Sequence, residues 1–393
     1  MEVYILKSTS EPIRILEVVN CMNRAGLETV IMNYYNRFDR EKVQIDFLTH
    51  RNYSGAYDEE IQKLGGKIYR APRLIPGNYI RYYIWMKKFL KSHPEYVVVH
   101  SHIDTMSFFP LLAAKLNHIP VRISHSHSTK LDVDFKLPIK YMAKLLLPYV
   151  SNNYWSCGEE AGKFLYGKKD FFIMHNACDL KKFKFDKEIR NFQRKKYNLE
   201  NKFVIGHVGR YIYIKNQTFL IDIFVEILKS NPNSTLLLIG SGNDEQMLRE
   251  KVKKLNLEDK VLFLINRSDV NDLYQAMDTF IMPSLFEGLP LSCVEAQTNG
   301  LPCFISDKIS KETLMTSNIK MISLDNNAEK WAEAILSSDL KRNKNSLKEI
   351  SDKGYDLDRE SKKIQDIYIN LYNENKWGKK WKQIKIILYI YYL

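Results

Sequence analysis

The stretch Pro283–Asp307 reads PSLFEGLPLSCVEAQTNGLPCFISD and carries two glutamates, Glu287 and Glu295, which are separated by seven residues. A short apolar run before it predicts a strand. Pro283–Pro290 then predicts a loop and Leu291–Thr298 a helix, because proline is favoured where a helix begins. Glu287 is therefore expected on the loop, and Glu295 just over one turn into the helix. A strand, a loop and a helix in this order are typical of a parallel α/β sheet.

Outward from this stretch, runs with strand character alternate with helical patterns. In the first half these runs are Ile13–Val19, Val43–Leu48, Lys67–Arg70, Tyr96–Ser101, Val121–Ser124 and Asn153–Ser156, and in the second half Phe203–Val208, Thr235–Ile239, Val261–Leu264 and Thr279–Met282. Helical segments between such strands imply parallel sheets that are covered on both faces. We therefore predict an α/β fold of two tandem Rossmann-like, doubly wound domains facing a cleft, with ligands at the carboxyl ends of the strands.

The break between the two halves is expected in Lys181–Asn201, a segment rich in charge and poor in apolar periodicity, which we interpret as a linker. The predicted divisions are an N-terminal domain over residues 1–185 and a C-terminal domain over 186–355. A helix over 356–375 is expected to pack back toward the N-terminal domain. Residues 376–393 form a basic, apolar tail.

The composition limits the function classes. The chain has 393 residues and a net charge of +13, so anionic partners are expected: nucleic acid, a membrane surface or phosphorylated substrates. The five cysteines are scattered, which argues against a zinc site or a disulfide framework. No signal peptide and no run of about 18 apolar residues is evident, so we expect a cytoplasmic protein that is soluble or peripheral to a membrane.

The two glutamates can each accept hydrogen bonds from hydroxyls at opposite ends of one ligand. Between them, the free N–H groups at the start of the helix can bind a diphosphate. Gly288 lets the backbone approach the ligand closely. The candidate ligand-binding residues of this stretch are thus Glu287, Gly288, Leu289, Pro290, Leu291 and Glu295. For an isolated pair of glutamates at this spacing, solvated surface charge would be the ordinary interpretation.

A second motif, Gly206–Lys215 (GHVGRYIYIK), follows another predicted strand. Arg210 offers a planar fork for phosphate oxygens, and Lys215 offers a compact positive charge. Both can stabilise negative charge on a leaving diphosphate. Two surface cations among many would be the alternative interpretation.

These motifs resemble glycosyltransferase family 4, the retaining GT-B enzymes. The family pattern P-S-x-x-E-G-x-P-x-x-x-x-E-A is matched by Pro283, Ser284, Glu287, Gly288, Pro290, Glu295 and Ala296, and the family's G-R-x(4,5)-K loop by Gly209, Arg210 and Lys215. The resemblance implies that Glu287 contacts the transferred sugar and Glu295 the nucleoside ribose. It also implies a phosphate contact near Gly26, where Ala25 replaces a glycine that the family usually has.

Two H-S-H sequences place His100 and His102 at the end of one predicted strand, and His125 and His127 after the next. Such pairs could bind a metal ion, although no cysteine accompanies them. The family needs no catalytic metal, so we expect none. The resemblance implies instead that His125 or His127 hydrogen-bonds the sugar near its anomeric centre, and we favour His127.

The expected activity is transfer of a sugar, with retention, from a UDP- or GDP-sugar to a saccharide or lipid-linked acceptor in exopolysaccharide or capsule biosynthesis. The C-terminal domain would bind the donor and the N-terminal domain the acceptor, without a cofactor. No carboxylate nucleophile is evident, which favours front-face substitution over double displacement. The alternatives are a GT-B-fold nucleotide-sugar 2-epimerase and a non-enzymatic protein that binds anionic surfaces. Nucleic acid is not expected, because the aromatic and basic RNA motifs are missing.

Three segments mix basic and apolar residues in a way that fits an anionic membrane surface. Lys136, Lys140 and Lys144 recur at helical spacing, Arg81–Lys91 is basic and aromatic, and Lys376–Leu393 has five lysines before an apolar end. For the first two, helices with one buried and one solvated face are an equal alternative. The third segment is expected to attach to a membrane or a partner.

Overall fold

The computed structural model describes residues 11–131 and 134–391, with side chains described up to residue 374. The chain divides into two compact units. The first runs to His175 and resumes at Asp358, and the second comprises Asn176–Leu357.

The first unit is built on a parallel sheet in the order β3-β2-β1-β4-β5-β6-β7 among the described residues. Its strands are β1 Ile13–Val19, β2 Val43–Thr49, β3 Ile68–Arg70, β4 Tyr96–Ser101, β5 Val121–Ser126, β6 Asn153–Ser156 and β7 Phe172–Ile173. Its helices are α1 Gly26–Tyr35, α2 Asp58–Lys63, α3 Tyr79–Ser92, α4 Phe108–Leu116, α5 Leu137–Val150 and α6 Glu159–Tyr166. The strand order reverses between β1 and β4, and a reversal of this kind leaves a crevice at the carboxyl ends of the two strands.

The second unit repeats this plan with the strand order β10-β9-β8-β11-β12-β13. Its strands are β8 Phe203–Val208, β9 Ser234–Ile239, β10 Val261–Leu264, β11 Thr279–Met282, β12 Cys303–Ser306 and β13 Ile319–Ile322. Its helices are α7 Leu180–Phe183, α8 Lys187–Lys196, α9 Gln217–Ser230, α10 Glu245–Lys254, α11 Val270–Ala276, α12 Leu291–Thr298, α13 Ala328–Leu336 and α14 Ser346–Asp352. Here the order reverses between β8 and β11.

Both faces of the second sheet are covered. Leu236 and Leu238 of β9 pack in a core with Phe224 and Trp331, whereas Leu237 packs on the opposite face in a second core. Alternate residues of one strand therefore serve two apolar layers, which explains why these strands read as continuous apolar runs. The predicted α/β architecture of two doubly wound sheets is confirmed.

The predicted linker over Lys181–Asn201 is wrong. The chain enters the second unit at Asn176, and Cys178 pairs through its backbone with Tyr355 and Leu357 of the same unit. The charged segment then forms α7 and α8. Helix α8 is fastened by two arginines, Arg190 and Arg194, which bind Asp278 at 2.5 and 3.1 Å. Apolar periodicity is weak there because arginine contacts hold the helix in place.

The last helix, α15 Leu357–Tyr391, belongs to the first unit from Asp358 onward. The amide of Asp39 donates to Gln365 at 2.6 Å, and the ring of Tyr368 stacks on Trp155 with centroids 5.4 Å apart. The side chains of residues 375–393, which include the predicted tail over 376–393, lie outside those described. Among the described helices, none combines the length and apolar character needed to cross a bilayer.

Candidate active site

In the second unit, the predicted donor residues follow the two strands at which the sheet order reverses. Arg210 and Lys215 follow β8, and Glu287 follows the neighbouring strand β11. Lys215 Nζ lies 2.5 Å from Glu287 Oε1, and both side chains are largely buried, with 14% and 17% exposed. Two motifs that are far apart in the sequence therefore meet in one ion pair.

Backbone contacts hold the loops that carry this ion pair. The amide of Leu285 donates to the carbonyl of Ile214 at 2.8 Å, and Asn216 Nδ2 donates to the carbonyl of Pro283 at 3.0 Å. The backbone carbonyl of Glu287 accepts from the amide of Ser310 at 3.1 Å. The ion pair is thus preorganised, which is the condition under which charged groups stabilise a developing charge most effectively.

Helix α12 begins at Leu291 after Pro290, as expected, and no side chain caps its first turn. The amides at this end are therefore available to an anion, and the helix dipole favours negative charge there. Gly288 lies in open space, because a Cβ atom built on it would meet no atom within 4 Å. Leu289 is partly buried against the core of the unit.

Glu295 lies inside α12 and is bound by a residue that the sequence did not suggest. Tyr274 Oη donates to Glu295 Oε2 at 2.9 Å and lies at the same distance from the carbonyl of Ser292. Burial raises the pKa of Glu295 to about 7, although the hydrogen bond from Tyr274 and the charge of Lys182 both lower it. The carboxyl group is therefore close to its titration point at neutral pH.

Arg210 lies in the loop after β8 and is exposed at the surface. Its carbonyl accepts from Gln217 Nε2 at 2.7 Å, which fixes the backbone. Within the described part of the chain its guanidinium has no hydrogen-bond partner, so the fork is free for a phosphate oxygen.

In the first unit, all four predicted histidines meet at the reversal point of the sheet. His125 lies inside β5, which extends to Ser126, whereas the sequence suggested that it follows the strand. His100 Nε2 lies 3.0 Å from His125 Nδ1, and His102 Nδ1 lies 3.0 Å from His127 Nε2. The two H-S-H sequences thus form two ring-to-ring hydrogen bonds.

Both ring pairs are joined to Glu17 of β1, which is paired in register with His100. His102 Nε2 lies 2.5 Å from Glu17 Oε2. Tyr368 Oη lies 2.6 Å from His100 Nδ1 and 3.2 Å from Glu17 Oε1. Burial alone would raise the pKa of Glu17, but His100 and His102 hold it well below its usual range.

The same rings are the strongest metal candidate in the described residues. One nitrogen from each of His100, His102 and His125 can be chosen so that all three lie within 4.8 Å of one another. Both nitrogens of His100 and both of His102 are already engaged in hydrogen bonds to Tyr368, His125, Glu17 and His127. An ion would have to displace these bonds.

A pocket of ≈ 350 Å³ opens beside the cluster within the first unit. Its lining includes His102, His127, Leu27, Lys136, Lys140 and Phe164. His127 is partly exposed, whereas His125 is only 2% exposed. Gly26, the first residue of α1, has free space at its Cβ position. The pocket combines histidine rings, three lysines, two aspartates and apolar walls.

Sequence reasoning missed Tyr274, Glu17 and Tyr368. One feature of the sequence could have indicated Glu17, because it is the only acidic residue in the apolar strand β1, IRILEVV. Tyr274 and Tyr368 lie in helices where an aromatic residue is normally a core residue, and their hydroxyl contacts depend on packing.

Comparison with known proteins shows the family to which the chain belongs. The chain is 34% identical to EpsF of Bacillus subtilis (strain 168), a protein named as a glycosyltransferase, over 333 residues that cover 82% of this chain and 86% of the relative. Residues 189–356 match the family model described as Glycosyl transferases group 1. The chain is a group 1 glycosyltransferase.

Other similarities of this glycosyltransferase extend over nearly its whole length. An Escherichia coli protein named UDP-Gal:alpha-D-GlcNAc-diphosphoundecaprenol alpha-1,3-galactosyltransferase is 24% identical, covering 93% of this chain and 99% of the relative. The Anabaena protein HepE in complex with UDP superimposes with a TM-score of 0.70 at 18% identity, covering 94% and 99% of the two chains. A glycosyltransferase from Rickettsia africae reaches 0.74 at 16% identity, covering 92% and 99%. The fold is GT-B.

Proposed function

We propose that this glycosyltransferase moves a sugar from a nucleotide-sugar donor to a saccharide acceptor carried on a lipid, in the assembly of an extracellular polysaccharide. The observation that supports this most is the Lys215–Glu287 ion pair beside the uncapped start of α12. The names of two relatives support this proposal. One is named for a diphosphoundecaprenol-linked acceptor, and another, from Staphylococcus aureus, for capsular polysaccharide biosynthesis.

The donor is proposed to bind to the second unit along α12. Glu287 accepts hydrogen bonds from hydroxyls of the transferred sugar, and Glu295 accepts from the ribose. Lys215, Arg210 and the amides at the start of α12 bind the diphosphate between them. This arrangement places positive charge where the leaving group gains negative charge.

The reaction is proposed to be a front-face substitution that retains the anomeric configuration. The bond between the anomeric carbon and the diphosphate oxygen breaks, and the acceptor oxygen bonds to the same face of that carbon. The acceptor's hydroxyl proton passes to the departing diphosphate. The protein's part is to position both substrates and to stabilise the leaving charge, which requires neither a metal nor a cofactor.

The acceptor is proposed to bind in the first unit at the pocket beside His127. Lys136 and Lys140 supply positive charge for a phosphate of the acceptor, and Leu27 and Phe164 supply apolar contact. Lys140 also pairs with Asp134 at 3.1 Å, so its amine is held at the pocket.

Helix α5 is proposed to lie on the anionic membrane that holds the acceptor. Its exposed side chains include Tyr141, Leu145 and Tyr149, the last two 73% and 72% exposed, and Phe135 just before the helix is 79% exposed. Lysines alternate with this apolar surface, as is typical of helices that bind at a bilayer interface.

The test is turnover of UDP- and GDP-sugars with polyprenyl-diphosphate-linked saccharides, measured by release of free nucleotide. We expect one donor to be consumed only when acceptor is present, and NMR of the product to show the donor's anomeric configuration. An inverted product would overturn the retaining mechanism. Consumption of the donor without acceptor, giving a 2-epimer, would overturn the transferase proposal in favour of epimerisation.

A further inference from the structure

We propose that Glu17 is a positioning residue which, through His102, fixes the tautomer of His127 so that its Nδ1 carries a lone pair for a saccharide hydroxyl in the pocket of the first unit. The identity of that hydroxyl rests on the proposed function. The tautomer does not, because it follows from hydrogen bonds present in the ligand-free protein.

The argument begins with the charge on Glu17. Its carboxyl group is buried, with 2% exposed, and accepts hydrogen bonds on both oxygens from His102 and Tyr368. An ionised carboxylate has no hydrogen to donate, so each of its partners must be the donor. His102 therefore carries its hydrogen on Nε2.

The next bond follows from the first. With a single hydrogen on the ring of His102, its place on Nε2 leaves Nδ1 as an acceptor. Its partner at 3.0 Å is His127 Nε2, which must then be the donor. His127 thus has its hydrogen on Nε2 and a lone pair on Nδ1. No residue in the described part of the chain hydrogen-bonds that Nδ1, and His127 lines the pocket.

Two further contacts support this state. Asp104 accepts from the amides of His127 and Ser128 at 2.7 and 3.2 Å, so the backbone that carries the ring is fixed. Burial, with the neighbouring rings of His102 and His100, holds the pKa of His127 well below its ordinary value. The ring is therefore neutral at neutral pH and can accept a hydrogen bond.

The hydrogen bonds from Glu17 through His102 to His127 form a first arm. A second arm starts at the other oxygen of Glu17 and runs through Tyr368 and His100 to His125. Tyr368 donates to Glu17, His100 Nδ1 donates to Tyr368, and His125 Nδ1 donates to His100. This arm leaves the lone pair on His125 Nε2, a buried atom without a hydrogen-bond partner among the described residues. His125 is not part of the pocket lining. The two arms therefore distinguish the two histidines, and only His127 presents a lone pair to the pocket.

The direct test is the tautomer of His127 in the full-length, ligand-free protein labelled with 15N-histidine. A long-range 1H–15N spectrum at pH 7.5, assigned with His127→Asn, distinguishes the two neutral forms and the imidazolium. We expect the form with hydrogen on Nε2. Hydrogen on Nδ1, or a doubly protonated ring, would overturn the proposal. This measurement needs neither a nucleotide sugar nor an acceptor saccharide. The assignment of the tautomer can therefore be wrong while the proposed transfer activity is correct.

Two variants separate the arms. Glu17→Gln removes the carboxylate, and we expect the His127 signals to move toward a mixture of tautomers. We also expect kcat to fall about 10- to 100-fold, by analogy with loss of the partner that orients a metal-binding histidine, with KM for the donor unchanged. Tyr368→Phe removes the hydroxyl between Glu17 and His100 but leaves the contact of Glu17 with His102, so His127 should keep its tautomer.

An equal response of His127 to both variants, or to neither, would contradict the assignment. If Glu17→Gln does not fold, as judged by circular dichroism, the wild-type tautomer still decides. If the transfer rate falls while the His127 tautomer stays unchanged, Glu17 has a structural role and the proposal is wrong.

Discussion

At the scale of single residues, Glu295 is a carboxyl group whose charge state changes near neutral pH. Burial raises its pKa to about 7, and Tyr274 holds one carboxyl oxygen at 2.9 Å. Ribose hydroxyls donate hydrogen bonds, which the ionised carboxylate accepts best. A bound nucleotide must therefore favour the deprotonated form of Glu295.

The first prediction is that nucleotide affinity falls as pH drops below about 7. Protonated Glu295 must lose its proton before the ribose binds, so the penalty approaches about tenfold in Kd for each pH unit below the pKa. Calorimetric titration of UDP and GDP between pH 5.5 and 8.5 measures this. Glu295→Gln cannot titrate, and its affinity should follow only the ionisation of the nucleotide itself. Parallel pH profiles for the two proteins would contradict the assignment.

The predictability of individual site residues depended on whether they belong to a local motif. Glu287, Lys215 and Arg210 could be proposed from two short motifs at strand ends, and the structure brings Glu287 and Lys215 into contact. Glu17 and Tyr368 could not, because the bond between their side chains joins positions 351 residues apart. Such contacts depend on strand register and helix packing, which no local pattern records.

At the scale of secondary-structure elements, helix α5 has an apolar face that is open to solvent. The second prediction is that Leu145→Ser weakens binding to vesicles containing phosphatidylglycerol. Losing the burial of one large apolar side chain costs about 1.5–3 kcal/mol, which is roughly tenfold or more in affinity. Sedimentation with vesicles of defined composition measures the loss.

A matched control is available in the second unit. Phe192 on α8 is 65% exposed, and Phe192→Ser removes a comparable apolar surface from a different helix. Vesicle binding should be unaffected by this variant. If both variants lose binding equally, or neither does, α5 is not the membrane-binding element.

Helix α8 leads to the third prediction, which concerns stability. Arg194 donates to the carbonyl of Ala276 at 2.9 Å and to Asp278 at 3.1 Å, and it also binds the carbonyl of Lys202. Arg194→Met removes the donor to the carbonyls of Ala276 and Lys202, whereas Asp278 keeps its hydrogen bonds from Arg190 and the amide of Val204. The free energy of unfolding should therefore fall by about 1–3 kcal/mol. Urea unfolding followed by tryptophan fluorescence measures the change. Lys195→Met, at an exposed neighbouring position, should change stability little; equal effects would contradict the role of Arg194.

The distribution of apolar residues along each element explains which strands and helices could be predicted from the sequence. Strands such as Ile13–Val19 and Thr279–Met282 were predicted with the bounds that the structure has, because strands buried on both faces form continuous apolar runs. Helix α8 could not be predicted in this way, because arginines rather than apolar side chains hold it against the unit. The charged segment Lys181–Asn201 lacks apolar periodicity, which is the pattern that predicts a helix from sequence, and it is therefore predicted as a linker.

At the scale of the whole molecule, the alternation of strands and helices was sufficient to predict two doubly wound sheets. The point at which the chain passes between the units could not be predicted in the same way. It crosses at His175–Asn176 and again at Leu357–Asp358, and the second unit is closed by backbone pairing of Cys178 with Tyr355 and Leu357. Pairing between segments so far apart in sequence has no signature in either segment alone.

The fourth prediction concerns metal dependence. The nitrogens of His100 and His102 are engaged in hydrogen bonds, and Lys215 and Arg210 can balance the charge of the diphosphate. We therefore expect nucleotide release to continue at an unchanged rate with excess EDTA and without added divalent cation. Loss of activity that added Zn²⁺ restores would instead indicate that the histidine cluster binds an ion.

The central claim is that the donor binds with its sugar at Glu287 and its nucleoside at Glu295, and transfer assays combined with nucleotide binding test it most directly. For Glu287→Gln we predict that acceptor-dependent release of nucleotide falls at least about 100-fold, by analogy with loss of a single group that stabilises a transition state, while the Kd for free nucleotide is nearly unchanged. For Glu295→Gln we predict that nucleotide binding itself is weakened at pH 8. Full transfer activity in both variants would contradict the account.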